Sequence, residues 1–443
     1  MRYFRLATDC YLIEGEVDAA IYDLSRRRLW LLDDRAHALL RRCEDNHPLP
    51  DALPEAEQAC LDALQEAGAG YFDDRPAYVD KLLLHQPIEM TGIASAPPAF
   101  SRADWAITGA CDLGCAFCPA GSGDLAWLGC ETCLRRAGGA AAPWVPHDLE
   151  RFAGELELLG VKVLHLRGGN PLLEWDYLQR IVQAVRGSPL GLLISTPGTG
   201  QEPERILALC EGGCVRLNVV LFGIREEATR TVCGAGGAQA QAAPLLDAFA
   251  GAGIPCYITF LLTADTRADW PEMSDYAVSR WGIRPRAAEI YRREAPPGGR
   301  LRHVGEQVKP LRAWQSAEEF FFRVTANPCA HGRFEIGIDG KVRCCPAFEQ
   351  VCGDVAGDGL RRALAGDSLY DAWALSKNKI EPCKRCALRY ACLDCSAFEI
   401  AGQSDPAIKA AYCPYDPEPG PARAWERDWG EPDFVLTWRL PDA

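Results

Sequence analysis

The chain has 443 residues, 48% of them hydrophobic, and a formal net charge of −14; the length predicts two or three domains, and the acidic balance excludes a mainly phosphate-tracking surface, so nucleic acid is not an expected partner. No run of about 18 apolar residues occurs and the opening stretch MRYFRLATDC lacks a secretory apolar segment, so we expect no membrane partner and a cytoplasmic protein. Its 21 cysteines are poor disulfide candidates in a reducing compartment, and their clustering points to metal or redox chemistry.

Residues 1 to about 75 read as a small α/β module. Alternation at Tyr11 and Ile13, and the stretch from Ala20 to Leu32, predict a β-ribbon. Asp33 or Asp34 is placed to cap a helix carrying Ala36, Leu39, Leu40 and Cys43. A second helix is predicted from near Pro54, with Cys60, Leu61 and Leu64 on it, ending at Gly68 and Gly70 before a short strand at Tyr71 and Phe72. This winged-helix-like order resembles the precursor-recognition domain of peptide-modifying enzymes. The resemblance implies a sheet edge that accepts a leader peptide as an added strand through main-chain hydrogen bonds; the plain alternative is an accessory module that only packs on its neighbour.

Residues 76–103 contain Pro76, Pro87, Pro97 and Pro98 and read as a linker. Beyond it, β-like runs recur at 104–110, 161–169, 190–198, 214–223, 255–263 and 286–294, with helical stretches that include His147 to Leu159 and Ala242 to Ala252. Repeated β/α units with buried strands predict an α/β fold: a partial (β/α)6 TIM-like barrel over 104–310, with chemistry at the strands' carboxyl ends.

At the end of the first of these strands stands CDLGCAFCPA, which places Cys111, Cys115 and Cys118 at i, i+4 and i+7. Three thiolates at this spacing can hold three irons of a 4Fe-4S cube and leave the fourth open to an outside ligand. A zinc site completed by Cys130 is the alternative, although zinc knuckles favour paired CxxC groups. The motif resembles the radical S-adenosylmethionine superfamily. That resemblance implies that the cofactor chelates the open iron, that Phe117 lies beside its adenine, and that one-electron reduction cleaves its carbon–sulfur bond to give a hydrogen-abstracting 5′-deoxyadenosyl radical.

After the second predicted strand comes RGGNPLL, Arg167 to Leu173, where the family carries a Gly-Gly-Glu-Pro-like turn that holds the cofactor's ammonium. Gly168 and Gly169 permit close backbone approach. Asn170 stands in place of the usual Glu, and its amide oxygen can accept from the ammonium but brings no negative charge. Ser195 and Thr196, on the third strand, are placed to reach the cofactor; on the fourth, Phe222 departs from the family's Ser-Leu-Asp-Gly pattern.

A second cysteine cluster begins with CAHGRFEIGIDGKVRCCPAF at residue 329, continues with CKRCALRYACLDC at 383 and ends at Cys413. It resembles the SPASM extension of radical enzymes that modify peptides, which holds two auxiliary 4Fe-4S clusters. The family's interleaved pattern implies that Cys383, Cys386, Cys392 and Cys413 hold one cluster, and Cys329, Cys345 and Cys395 the other, one ligand short. Cys344, Cys352 or Asp354 is a candidate for the missing position, or an iron stays open for a substrate thiolate. Two residues rather than three separate Cys392 from Cys395, a departure from the family. Two zinc ribbons would fit CKRC but leave the outlying cysteines unexplained.

Cys130 and Cys133 form a further CxxC in the insertion GDLAWLGCETCLRRAGG, read as a surface loop, a cover of the active site, a source of thiols for substrate chemistry, or a zinc site completed by distant partners. Cys210, Cys214, Cys233 and Cys256 read as packed thiols, and His147, His165 and His331 as structural. The order of modules, with a cysteine-rich iron-sulfur domain at 311–415 and a tail at 416–443, resembles radical enzymes that mature ribosomally made peptides. The resemblance implies an oxidoreductase with S-adenosylmethionine and three 4Fe-4S clusters as cofactors. Its partners are a precursor peptide bound through its leader and an external electron donor such as flavodoxin or ferredoxin. The implied product is an oxidative thioether or carbon–carbon cross-link; epimerisation, backbone splicing and sulfatase-type dehydrogenation are the other outcomes of the same framework. Outside the enzyme class stand an electron carrier and a peptide-binding protein.

Overall fold

The computed structural model describes residues 1–81, 100–115, 118, 133, 143–234, 238–263, 266–289, 312–346, 348, 350–381 and 383–393, and the backbone at 126–127, 291–293, 301–303 and 435–438. Among these residues no helix is long and apolar enough to cross a membrane.

The first module comprises β1 (Tyr3–Leu6), β2 (Cys10–Glu14), β3 (Ala19–Asp23), β4 (Arg28–Leu32), α1 (Asp34–Glu44), α2 (Glu55–Glu66) and β5 (Gly70–Asp73). Asp33 accepts a hydrogen bond from the Ala36 amide at 2.8 Å, satisfying one of the orphan donors that every helix start exposes. The apolar faces of the two helices, Ala36, Leu39, Leu40 and Cys43 on one and Cys60, Leu61 and Leu64 on the other, are buried together under β3 and β4.

Every residue of β3 is buried, because its two faces have different partners. Ala19 and Ile21 face the helices, whereas Ala20 and Tyr22 face Trp314, Phe320 and Tyr390 from the cysteine-rich region. The Tyr22 ring lies 5.1 Å from that of Trp314 and 5.4 Å from that of Phe320, and its hydroxyl donates to the Ala387 carbonyl at 2.8 Å. Polar bonds frame this patch: the Ala387 amide donates to Asp18 Oδ1 at 3.0 Å, the Glu16 amide to the Arg385 carbonyl at 2.8 Å, and Arg389 Nη1 to the Glu14 carbonyl at 3.0 Å.

The larger body follows in chain order as β6 (Arg102–Thr108), β7 (Ala126–Trp127), α3 (Leu149–Leu158), β8 (Val163–Gly168), α4 (Trp175–Val185), β9 (Gly191–Thr196), α5 (Pro203–Cys210), β10 (Val215–Leu221), α6 (Glu226–Cys233), α7 (Ala238–Ala252), β11 (Tyr257–Leu262), α8 (Trp270–Trp281) and β12 (Arg286–Glu289). Then come β13 (Tyr291–Arg293), β14 (Leu301–His303), α9 (Ala317–Thr325), β15 (Arg333–Ile336), β16 (Lys341–Arg343), β17 (Gly353–Asp354), α10 (Val355–Asp358), α11 (Leu360–Ala363), α12 (Asp367–Trp373) and β18 (Val435–Trp438). A nine-stranded sheet runs in the order β12-β11-β10-β9-β8-β6-β15-β16-β17, parallel from β12 to β15. Alternate residues explain its two faces: Trp105, Leu166, Ile194, Val219 and Phe260 pack under the helices, while Asp104, His165, Ser195, Asn218 and Thr259 line the inside.

Two features depart from the spacing of apolar runs. The sixth run divides into β12 and β13, and β13 joins β7 and β14 in a separate three-stranded sheet. The strands that lead into Cys344 and Cys345 continue the same mostly parallel sheet rather than starting a new one, since β15 pairs with β6 from Arg333↔Arg102 to Ile336↔Trp105.

Replacing Tyr22 by Ala removes a fully buried ring at the junction between module and body, a loss of about 3 kcal/mol. We expect a lower melting temperature and faster hydrogen exchange confined to residues 19–23 and 387–391.

Candidate functional site

The three cysteines of the CxxxCxxC loop follow β6 directly, at the carboxyl end of the parallel strands where α/β folds gather their chemistry. Cys111, Cys115 and Cys118 are each half-buried; Phe117 lies outside the described residues. Thr108 anchors the start of the loop. Its Oγ1 donates to Glu174 at 2.8 Å and accepts from the Ala110 amide at 3.0 Å, while its carbonyl accepts from the Gly169 amide at 3.1 Å. The Ala110 carbonyl in turn accepts from the Asn170 amide at 2.7 Å.

The two glycines of the turn make this contact possible. A Cβ on Gly168, whose φ is +124°, would lie 2.1 Å from the Thr108 carbonyl oxygen, and one on Gly169 would lie 1.9 Å from that of Ala110. The backbone they approach is therefore the cysteine loop itself. On the other side, α6 ends in a left-handed Gly234, and the Gly114 amide donates to the Cys233 carbonyl at 3.0 Å. The loop is clamped from two strand–helix units.

Asn170 is fully buried, and every polar valence of its amide is used. Nδ2 donates to Asp112 Oδ1 and to Oγ1 and the carbonyl of Thr199, each at 3.0 Å. Oδ1 accepts from the Leu172 amide at 3.2 Å and from Thr196 Oγ1 at 2.8 Å. A carbonyl oxygen has two lone pairs, and both on Asn170 are engaged within the chain. Asn170 braces the turn and orients Asp112, an exposed carboxylate inside the cysteine loop.

Ser195 and Thr196 point to opposite faces of β9. Thr196 belongs to the Asn170 brace, and Ser195 belongs to a buried chain of hydrogen bonds that crosses the barrel interior. Thr259 Oγ1 donates to Asn218 Oδ1 at 2.8 Å, Asn218 Nδ2 donates to Ser195 Oγ at 3.2 Å, Ser195 lies 2.8 Å from His165 Nε2, and His165 Nδ1 lies 2.7 Å from Asp104 Oδ1. Arg102 Nη2 lies 2.6 Å from the same Nδ1. Burial opposes ionisation of Asp104, yet the Arg102 guanidinium, the His165 hydrogen bond and Arg333 outweigh it and hold the carboxyl well below the usual range. Burial pushes the imidazole the other way from its charged form, down to about 4. The sequence shows His165 only as an isolated histidine; its partners lie on neighbouring strands and become visible only once the register is known.

A cluster on the first loop fits the donor set. Among the described residues no three His, Cys, Asp or Glu side chains come close enough for a single metal ion. A cubane, by contrast, spreads three thiolates over separate corners. Burial drives the Cys115 thiol well up, and Cys133, Cys233, Cys111 and Cys118 add to the rise, so these sulfurs share one neighbourhood. Burial likewise pushes the Cys133 thiol up to about 12, with Cys111 and Cys118 raising it and Arg167 lowering it; it lies beside the triplet. Cys233 is packed, its Sγ donating to the Thr229 carbonyl at 3.0 Å.

In the second cluster, Cys344, Cys345, Cys383 and Cys386 are buried and Cys329, Cys352 and Cys392 half-buried. Cys395 and Cys413 lie outside the described residues. Asp354 is committed elsewhere: its carboxylate caps α10 through the Ala356 and Gly357 amides and pairs with Lys341.

Residues 105–277 match the family model described as the Radical SAM superfamily. The chain is 28% identical to the mycofactocin maturase MftC of Mycobacterium ulcerans (strain Agy99), over 48% of this chain and 52% of that protein. It is 23% identical to the PqqA peptide cyclase of Gluconobacter oxydans (strain 621H), over 58% and 82% respectively. The chain thus spans about half the length of the first of these relatives. The fold is similar to the crystal structure of Streptococcus suis SuiB bound to precursor peptide SuiA, with a TM-score of 0.50 at 15% identity over 92% of this chain and 98% of that one.

Two outcomes follow from the geometry. Gly169→Ala forces the cysteine loop off the turn, at a stability cost of about 3 kcal/mol; we expect less iron per chain after anaerobic reconstitution, checked by iron analysis and absorbance. His165 is neutral when folded and protonates near 6.5 when unfolded, so between about pH 6.5 and 4 the unfolded state binds more protons and stability falls with falling pH. His165→Gln flattens that slope in urea melts, while the wild-type chain keeps it.

Proposed function

We propose, on the premise of a radical SAM domain at residues 105–277, that this chain is a maturase that oxidises a ribosomally made precursor peptide. The observation that carries the reading is the clamped thiol triplet at the carboxyl end of the parallel sheet, within the matched domain. The peptide substrate is supported by relatives named as a maturase and as a peptide cyclase, and by a fold similar to that of a protein crystallised with a precursor peptide.

In this reading Cys111, Cys115 and Cys118 hold a 4Fe-4S cluster, and residues Phe117, Gly168, Gly169, Asn170, Ser195 and Thr196 surround S-adenosylmethionine. With cluster and cofactor bound, the site supplies one-electron chemistry that generates a hydrogen-abstracting radical. The chain's own residues supply placement. Thr108, the two glycines and Asn170 fix the loop against β8, so the thiols hold their position relative to the barrel mouth. The chain of hydrogen bonds from Thr259 to Asp104 fixes the Ser195 hydroxyl beside His165. Asp112 sets a carboxylate beside the cysteines, restoring the negative charge that Asn170 lacks.

We assign Cys383, Cys386, Cys392 and Cys413 to one auxiliary cluster, and Cys329, Cys345 and Cys395 to the other, as acceptors for the electron that an oxidative cross-link releases. The leader docks on residues 1–75, which pack directly on the Cys383–Cys392 segment through the Tyr22–Ala387 and Arg389–Glu14 hydrogen bonds. A cytoplasmic setting and a flavodoxin- or ferredoxin-like donor complete the reading.

The test is anaerobic. The reconstituted chain, S-adenosylmethionine, dithionite and a candidate peptide encoded beside the gene are incubated together, and peptide mass and 5′-deoxyadenosine are measured. We expect deoxyadenosine and a peptide lighter by about two hydrogens. Removing residues 1–75 should retain deoxyadenosine formation and lose the modified peptide. No deoxyadenosine from the intact chain would refute the radical reading, and an unchanged peptide mass with deoxyadenosine would refute the oxidative one.

A further inference from the structure

The sheet of the first module contains one strand that the module does not encode. Its order is β18-β4-β3-β2: three strands follow one another in sequence, and the fourth, Val435–Trp438, arrives from far downstream. It lies parallel on the outer edge of β4, in the register Val435↔Leu29, Leu436↔Trp30, Thr437↔Leu31 and Trp438↔Leu32.

The two edges of the three-stranded ribbon are not equivalent. On β2, side chains reach the backbone carbonyls: Lys81 Nζ donates to that of Cys10 at 2.9 Å, and Arg389 Nη1 to that of Glu14 at 3.0 Å. On β4 no such capping is seen among the described residues, and the edge pairs with another strand instead. An edge strand offers a row of main-chain donors and acceptors that any extended segment can use, because the ladder bonds do not read side chains. The occupant is four residues long and parallel, the pairing that is slightly weaker per residue.

We propose that the outer edge of β4 is a strand-accepting peptide site that residues 435–438 fill in cis, and that the precursor's leader enters as an extended strand by displacing them. The identity of the incoming strand rests on the maturase reading; the site itself rests on the sheet. Held in the same chain, the resident strand competes at an effective concentration in the millimolar range. It reduces the fraction of molecules open to the leader, and the apparent dissociation constant rises by the inverse of that fraction. The device sets a threshold: a leader with a longer antiparallel match to β4 displaces the strand, and a short or poorly matched peptide does not.

The test compares the full chain with a chain ended at residue 434. The probes are a fluorescein-labelled leader from the adjacent precursor gene and a labelled peptide of residues 430–443, read by anisotropy, with hydrogen exchange at residues 28–32 as a separate readout. We expect the shortened chain to bind both probes at least about tenfold more tightly than the full chain. Its amides in 28–32 should lose protection and regain it with either probe. Unchanged protection of 28–32 on shortening, or a leader that binds both forms equally, overturns the proposal. If the 430–443 peptide binds at 28–32 but no leader does, the strand site stands and the maturase reading fails. Should the shortened chain not fold, Leu436→Pro and Thr437→Pro in the full chain take its place. Alternate amides of β18 point at β4, so one of the two must remove a ladder donor and reproduce the tighter binding; failure of both to do so overturns the proposal.

Discussion

The close approach between the end of β6 and the turn after β8 is the constraint on which the site depends. Backbone meets backbone at Thr108 and Ala110 on one side and Gly168 and Gly169 on the other, at separations that leave no room for a Cβ. Because the cysteines begin at residue 111, this contact converts the register of two parallel strands into the position of three thiols. The left-handed turn at Gly234 against Gly114 performs the same service from α6. A reactive site set on loops becomes reproducible in this way, since the loops are held by rigid elements on both sides.

Beneath that rim, the barrel interior solves an electrostatic problem. Asp104 is buried among Arg102, His165, Arg167 and Arg333, and its negative charge is matched by those groups rather than by water. The polar chain that ends on it runs through Ser195 to Thr259 across four further strands, so the floor of the cavity is ordered by hydrogen bonds and not by apolar packing alone. The first module meets the same body through Tyr22 and the Cys383–Cys392 segment, which places its sheet and the cysteine-rich segment in direct contact. The two share one aromatic core.

Much of this was legible in the sequence where the information is local. The Asp33 cap, the amphipathic faces of α1 and α2, the β/α rhythm and the thiol spacing all depend on residues a few positions apart. What escaped depends on register. His165 meets Asp104 and Ser195 only because β8 lies between β6 and β9, and a single histidine in an apolar run carries no sign of it. The bonds from the Asn170 amide to Thr196, Thr199, Asp112 and Leu172 likewise join separate strands and loops. The pairing of β15 with β6 and of β18 with β4 joins segments hundreds of residues apart, and no local pattern announces either.

The central claim is that Cys111, Cys115 and Cys118 hold an iron–sulfur cluster with one iron open to S-adenosylmethionine. Electron paramagnetic resonance of the reduced, reconstituted chain, recorded before and after adding S-adenosylmethionine, tests it most directly. The account predicts a cluster signal whose g values change with the cofactor and that disappears in Cys115→Ala while signals from other clusters persist. A spectrum indifferent to S-adenosylmethionine, or zinc in place of iron on these cysteines, would contradict it.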